Sequence, residues 1–239
     1  MKEKNVAVVL AAGKGTRMDS PVRKQYLLIK ERPVLYYSLE QFQKCPFIEE
    51  IVLVTGQDEI DYCRREIVER YGITKVKKIV AGGAERYHSV YEGLKAAKGC
   101  DYVYIHDGAR PFLTQDILER AQEGVRHYGA CAVGMPVKDT IKISDREGFA
   151  EYTPQRELVW MVQTPQVFSY EMITDAYKKI INGNHITVTD DAMVLETTTG
   201  RRVKLIPGSY ENIKITTPED LAIAEIFCNH SARSAHLLR

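Results

Sequence analysis

The stretch Val6-Ala-Val-Val-Leu-Ala-Ala-Gly-Lys-Gly-Thr-Arg-Met18, followed closely by Lys24-Gln-Tyr26, is where the architecture of this chain can be read. Residues 6–10 are apolar without alternation, the pattern of a strand covered on both faces. Small residues Ala11 and Ala12 and the glycines Gly13 and Gly15 follow at once, and two cations, Arg17 and Lys24, stand just beyond. Glycine lets a backbone approach a ligand closely, and a turn of free N–H groups beside fixed cations suits a polyphosphate. The loop is not a Walker motif, because Val8 and Gly15 stand where that motif needs its first glycine and its Ser/Thr. Nor is it a dinucleotide fingerprint, since Met18 replaces the third glycine. A strand and a glycine turn are as often structural as functional; the Arg and the Lys tilt the reading toward phosphate chemistry.

Outward from this stretch, apolar runs of strand length alternate with helical patterns. Residues 51–55, 77–81, 102–106 and 130–135 are expected strands. Tyr87, Val90, Tyr91, Leu94 and Ala97 recur at three- and four-residue spacing, one apolar face of a helix, and 58–71 and 114–128 read as helices too. This alternation predicts an α/β fold with a mostly parallel central sheet and helices on both faces. Ligands of such sheets sit at the carboxyl ends of the strands. The 13–17 loop, Gly82-Gly83 and His106-Asp107 all fall there.

Residues 138–160 break the pattern. Asp139-Thr-Ile-Lys-Ile-Ser144 alternates with period two, Asp145-Arg-Glu-Gly148 supplies turn residues, and 149–152 resumes an extended pattern, so a projecting β-arm is expected. An isolated ribbon is marginal in water, which favours packing against a second subunit. Further helices are expected from Tyr170, from Thr189 and from Pro218, the last burying Leu221, Ala224 and Phe227, with a short strand at 202–206. Residues 231–239 show no periodicity and are expected to fray, leaving one domain over 1–230.

Composition narrows the function classes. A net charge of +1 from 33 basic and 32 acidic residues excludes a general nucleic-acid or membrane surface, so any cationic site must be local. The longest apolar stretch near the start, 6–12, is too short for a signal-peptide core or a membrane span. Five scattered cysteines without a CxxC pair indicate neither zinc nor a disulfide framework, and a reducing cytoplasm is the expected compartment.

With Gly82-Gly-Ala-Glu-Arg86 and Ser89, His106-Asp-Gly-Ala-Arg-Pro111, Asp139-Thr140, Gln163-Thr-Pro-Gln166, Thr189-Asp-Asp-Ala192 and Asn212-Ile-Lys-Ile-Thr216 added to the opening loop, the chain resembles the 2-C-methyl-D-erythritol 4-phosphate cytidylyltransferases of the non-mevalonate isoprenoid pathway, from about residue 5 to 228. Each motif is weak alone; in this order they are specific. The resemblance implies a Rossmann-like nucleotidyltransferase domain, a β-arm over 138–160 that interlocks a homodimer, and Mg²⁺-dependent transfer of CMP from CTP. It implies that Arg17 and Lys24 neutralise the α-phosphate, while Arg156 and Lys214 orient the polyol phosphate. Asp107 and Thr189 would contact that substrate, with Thr140 joining from the neighbouring arm. The nucleotide would be read by Ala11, Ala12, Gly13, Gly15, Gly83, Ala84, Ser89, Asp107 and Gly108. Ala84 and Gly108 offer only backbone groups, since relatives often carry other residues there. Asp107 is also the candidate Mg²⁺ ligand, with the metal held mainly by CTP phosphates.

The chemistry agrees with residue types present. A phosphate monoester is already close to doubly charged at neutral pH, so it needs no general base, and the chain offers no nucleophile with an obvious His partner. The plainer readings are that Asp107 caps a turn before Gly108, that Thr189 caps a helix, that Lys214 between Ile213 and Ile215 faces water from a short strand, and that His106 and Trp160 are packing residues. The nearest alternative activity is a ribitol-5-phosphate cytidylyltransferase. A non-catalytic nucleotide-binding module would be expected to lack some of Arg17, Lys24, Asp107 and Lys214, and all four are present.

Overall fold

In chain order, the computed structural model holds β1 (Asn5–Leu10), a 3₁₀ turn (Lys24–Tyr26), a tight hairpin of β2 (Leu28–Ile29) and β3 (Arg32–Pro33), and α1 (Val34–Lys44). Then come β4 (Glu50–Thr55), a 3₁₀ turn (Gln57–Glu59), α2 (Ile60–Tyr62) running into a π-helix (Cys63–Glu69), β5 (Val76–Ala81), α3 (Arg86–Ala96) and β6 (Tyr102–Asp107). The second half holds α4 (Gln115–Tyr128), β7 (Ala130–Pro136), the arm strands β8 (Ile143–Ser144) and β9 (Ala150–Tyr152), and a 3₁₀ turn (Arg156–Leu158). It closes with β10 (Trp160–Ser169), α5 (Tyr170–Asn182), α6 (Asp191–Thr199), β11 (Lys204–Pro207) and α7 (Pro218–Leu237). The structure describes residues 3–13, 22–183 and 187–237, the last eight by their backbone alone.

Seven strands form one sheet in the order β11-β7-β10-β6-β1-β4-β5, parallel throughout except for β10. The unbroken apolar run of β1 is explained by burial on both sides. Ala7 and Val9 join Ile51, Leu53 and Tyr104 against Leu35, Leu39 and Phe42 of α1 and Ile117, Leu118 and Val125 of α4. Val6 and Val8 join Val52, Val54 and Ile105 against Val90 and Leu94 of α3 and Ile173 and Tyr177 of α5. Chain order runs outward from β1 to β4 and β5, then returns to β6 on the other side of β1. That reversal opens a crevice at the carboxyl ends of these strands, where α/β sheets bind ligands.

Several elements differ from expectation. The segment around Gln163-Thr-Pro-Gln166 is a full strand, β10, inserted antiparallel between β6 and β7. Pro165 hid it, because proline reads against a central strand; here the register with β7 shifts between Val162 and Gln166 and accommodates it. Residues 34–44 form a helix not assigned from the sequence, and the expected helix at 58–71 is divided among 3₁₀, α and π turns. The helix expected from Thr189 begins at Asp191, and its N-cap is Asp190, whose side chain accepts from the Met193 N–H. Lys214 lies in a loop without regular secondary structure rather than in a strand. The arm pairs only over β8 and β9, its turn held by Asp145 Oδ1 accepting from Glu147 and Phe149 N–H. The final helix continues past Asn229 to Leu237, through residues expected to fray.

Candidate active site

The crevice is a cavity of about 470 Å³ lined by Ala11, Ala12, Gly13, Lys24, Gln25, Gly83, Ala84, Arg86, Ser89, Asp107 and Lys214, together with Leu10, Glu85 and Ala109. The loops after β1, β5 and β6 therefore meet, as their positions at strand ends predict. Their contact is close: a side chain on Gly82 would strike Ala12 Cβ and Ser89 Oγ. Ser89 Oγ accepts from the Gly83 N–H at 3.1 Å and so shapes the turn from within.

Asp107 is the electrostatic centre. Its carboxylate is 2.7 Å from Lys214 Nζ, 3.5 Å from Arg86 Nε and 4.0 Å from Arg110 Nε. Burial alone would raise this carboxyl; Arg86, then Lys214 and Arg110, hold it well below the usual range. Arg86 is itself fixed by a two-pronged pair to Asp191, both N–O distances being 2.8 Å. Asp191 is fully buried and accepts from Tyr177 OH at 2.5 Å. Burial disfavours the Arg86 charge, but Asp191 and then Asp107 more than offset it and raise its pKa. A chain Tyr177–Asp191–Arg86–Asp107–Lys214 thus runs from the core to the cavity.

Lys214 reaches the cavity because its loop is tied to β10. Asn212 Nδ2 donates to Thr164 O at 3.0 Å, Arg110 Nη1 donates to Asn212 O at 2.8 Å, and Gln163 Nε2 donates to Ser209 O at 2.7 Å. His106 lies between the same elements, with Nδ1 3.0 Å from Thr164 Oγ1 and Nε2 3.2 Å from Arg110 O. It is a fully buried packing histidine, and burial lowers its pKa to about 4.

Not every expected site residue gathers here. Gly108 donates its N–H to Leu10 O at 2.8 Å, and a side chain there would meet Leu35 of α1, so it faces the fold and not the cavity. Thr189 lines a neighbouring cavity of about 420 Å³, which Arg86 and Glu85 share with the first. Thr140 and Arg156 are exposed on the arm, with Arg156 Nη1 donating to Lys138 O at 3.3 Å. Gly15 and Arg17 lie outside the described residues. Arg86, Asp191 and Gln25 carry the site's geometry without having been singled out. All three stood within quoted motifs, but Asp191 reads in sequence as an ordinary acid of a helix's first turn.

Comparison with known proteins fits this geometry. A model of the family described as 2-C-methyl-D-erythritol 4-phosphate cytidylyltransferase matches residues 5–230. A protein of that name from Clostridium kluyveri (strain NBRC 12016) is 53% identical over 227 residues, covering 95% of this chain and 97% of its own. Another from Clostridium botulinum (strain 657 / Type Ba4) is 53% identical over 223 residues, covering 93% and 96%. The crystal structure of 4-diphosphocytidyl-2C-methyl-D-erythritol synthase from Anaerococcus prevotii DSM 20548 superposes with a TM-score of 0.84 at 33% identity, covering 95% of this chain and 97% of that one. A Rossmann-like nucleotidyltransferase sheet, a cationic crevice at its switch point and relatives that match nearly end to end lead to one assignment: the chain belongs to the 2-C-methyl-D-erythritol 4-phosphate cytidylyltransferase family.

Proposed function

We propose that this crevice transfers CMP from CTP to 2-C-methyl-D-erythritol 4-phosphate, giving 4-diphosphocytidyl-2-C-methyl-D-erythritol and pyrophosphate. A terminal oxygen of the polyol phosphate attacks the CTP α-phosphorus; that bond forms as the bond to the bridging oxygen of pyrophosphate breaks. The attacking group is already an anion, so the protein must position and neutralise rather than accept a proton. Lys24, with Arg17, stabilises charge at the α-phosphate, and Lys214 holds the acceptor phosphate. The 11–13 turn, Gly83, Ala84 and Ser89 read the base through backbone groups and one hydroxyl.

The observation that carries this reading is the placement of Lys24 and Lys214 in one cavity with both glycine turns. The names of the relatives favour methylerythritol phosphate over ribitol 5-phosphate as acceptor. Pyrophosphate release by purified protein with CTP and a panel of polyol phosphates tests it. Release with methylerythritol phosphate is expected at least about tenfold above ribitol 5-phosphate, a difference one or two well-placed hydrogen bonds supply; the reverse order would transfer the assignment to the ribitol enzyme.

Among the described residues no three metal-ligating side chains come together. Asp107 at the end of β6, its carboxylate already shared with Lys214, Arg86 and Arg110, would be a minor ligand of a Mg²⁺ held mainly by the CTP phosphates. When bound, the ion would neutralise charge on the departing pyrophosphate. The arm supports a homodimer: Phe149 and Leu158 are 70% and 72% exposed, and Tyr152 and Met161 are exposed too, apolar side chains that a second subunit would cover. Thr140 and Arg156 would then serve the partner's crevice. Five free cysteines support a reducing, cytoplasmic compartment. Among the described residues no helix is long and apolar enough to cross a membrane.

A further inference from the structure

The geometry around Lys24 points to two positioning residues. We propose that Gln25 and Tyr26 hold Lys24 and the 11–13 turn in register, so that cation and nucleotide loop act as one rigid unit during transfer. The proposal rests on the assignment of Lys24 above.

Gln25 is polar yet only 2% exposed, and burying a primary amide is costly unless its hydrogens find acceptors. Its Nε2 donates to Ala11 O at 2.5 Å and to Gly13 O at 3.3 Å. Ala11 N still pairs with Val54 O at 2.6 Å, so these carbonyls leave the sheet at the point where its ladder ends. A trans peptide is planar, so aiming the Ala11 carbonyl at Gln25 turns the Ala12 N–H to the opposite side. The Gln25 side chain thus sets the orientation of the turn that lines the cavity, and Gln25 itself lines it.

Tyr26 anchors the other side. Its hydroxyl lies 3.0 Å from Thr55 Oγ1 and 3.1 Å from Cys63 Sγ, and its ring packs edge-on against Tyr62 with centroids 5.0 Å apart. Thr55 ends β4, the neighbour of β1. Lys24 therefore rides on a single 3₁₀ turn, one residue from a bond to the β1 loop and two from an anchor on β4. A 3₁₀ turn that short has no hydrogen-bonded ladder beyond a single turn to fix it. The buried side chains of the next two residues, Gln25 and Tyr26, supply that rigidity.

The test is a pair of double-mutant cycles. Gln25→Met keeps the volume and removes the donor; Tyr26→Phe removes only the hydroxyl. Turnover and KM for both substrates are measured for each, in wild type and in Lys24→Ala, with thermal midpoints recorded. In wild type, Gln25→Met is expected to lower kcat about 10–100-fold and Tyr26→Phe about 3–10-fold, with KM for the polyol phosphate within about twofold. In Lys24→Ala, Tyr26→Phe is expected to cost less than about twofold, because the cation it positions is gone, and Gln25→Met at least about threefold less than in wild type, the remainder being its hold on the 11–13 turn. Equal losses in both backgrounds, or an unchanged wild-type kcat, would overturn the proposal. Lys24→Ala with undiminished kcat would instead remove Lys24 from its assigned role and the proposal with it. Should Gln25→Met fail to fold, the Tyr26→Phe cycle decides alone.

Discussion

His106 shows how burial decides a residue's chemistry here. It is fully buried, and desolvation first of all lowers its pKa from 6.5 to about 4, although Asp107 beside it acts in the opposite sense. Between those two values the unfolded chain binds a proton that the native protein refuses, so stability is lost as pH falls from about 6.5 to about 4, on the order of 3 kcal/mol. Asp107 adds to the loss at lower pH: held below the usual range, its carboxylate contributes stability above its unfolded pKa that disappears as acid protonates it. Urea unfolding of wild type and His106→Asn at pH 7 and pH 4.5 checks the histidine's share. The variant is expected to lose distinctly less stability than wild type between the two pH values, and an equal loss would assign the dependence to other groups. At this scale the sequence was informative for residues that sit in turns. Gly13, Gly83 and Asp107 were legible because strand ends fix where they go. Asp191 and its pairing with Arg86 were not, because their meaning lies in a contact spanning 105 positions of sequence.

Among the elements, α3 packs on the sheet through a glycine. A Cβ on Gly93 would collide with Val8 Cγ1 and stand 3.0 Å from Val54 Cγ2, so β1 and β4 allow only a hydrogen there. Gly93→Ala should therefore destabilise by about 1–3 kcal/mol despite alanine's better helix propensity. A lower urea midpoint at unchanged slope is expected, and a midpoint equal to or above wild type would mean that the sheet yields. The parallel strands were readable because each is a continuous apolar run, which only two-sided burial permits. β10 was not: its first residues are half exposed beside the arm, and Pro165 interrupts the rest. The arm's shortened pairing has a similar cause. Its alternation from Asp139 reflects the demand for an apolar side, but β8 and β9 hold only where the Asp145 turn closes them.

For the whole molecule, the near-neutral charge leaves recognition to one local group of cations, and on the proposed dimer the arm of a second copy adds to that group. Arg156 lies on the arm and Lys214 in the crevice, and the proposed dimer has them serve one substrate from different subunits. Lys214→Ala and Arg156→Ala proteins, each nearly inactive, should regain activity on mixing and subunit exchange, up to half per heterodimer because one of its two sites has both residues. Heterodimers as inactive as their parents would show that Arg156 acts within its own subunit. The central claim, that the polyol phosphate attacks the CTP α-phosphorus in this crevice, is tested most directly by isotope transfer. Methylerythritol phosphate carrying ¹⁸O in its terminal phosphate oxygens is turned over with unlabelled CTP, and the products are read by mass spectrometry. All of the label is expected in the diphosphocytidyl product and none in pyrophosphate; label in pyrophosphate, or release of free CMP in place of the coupled product, would contradict it.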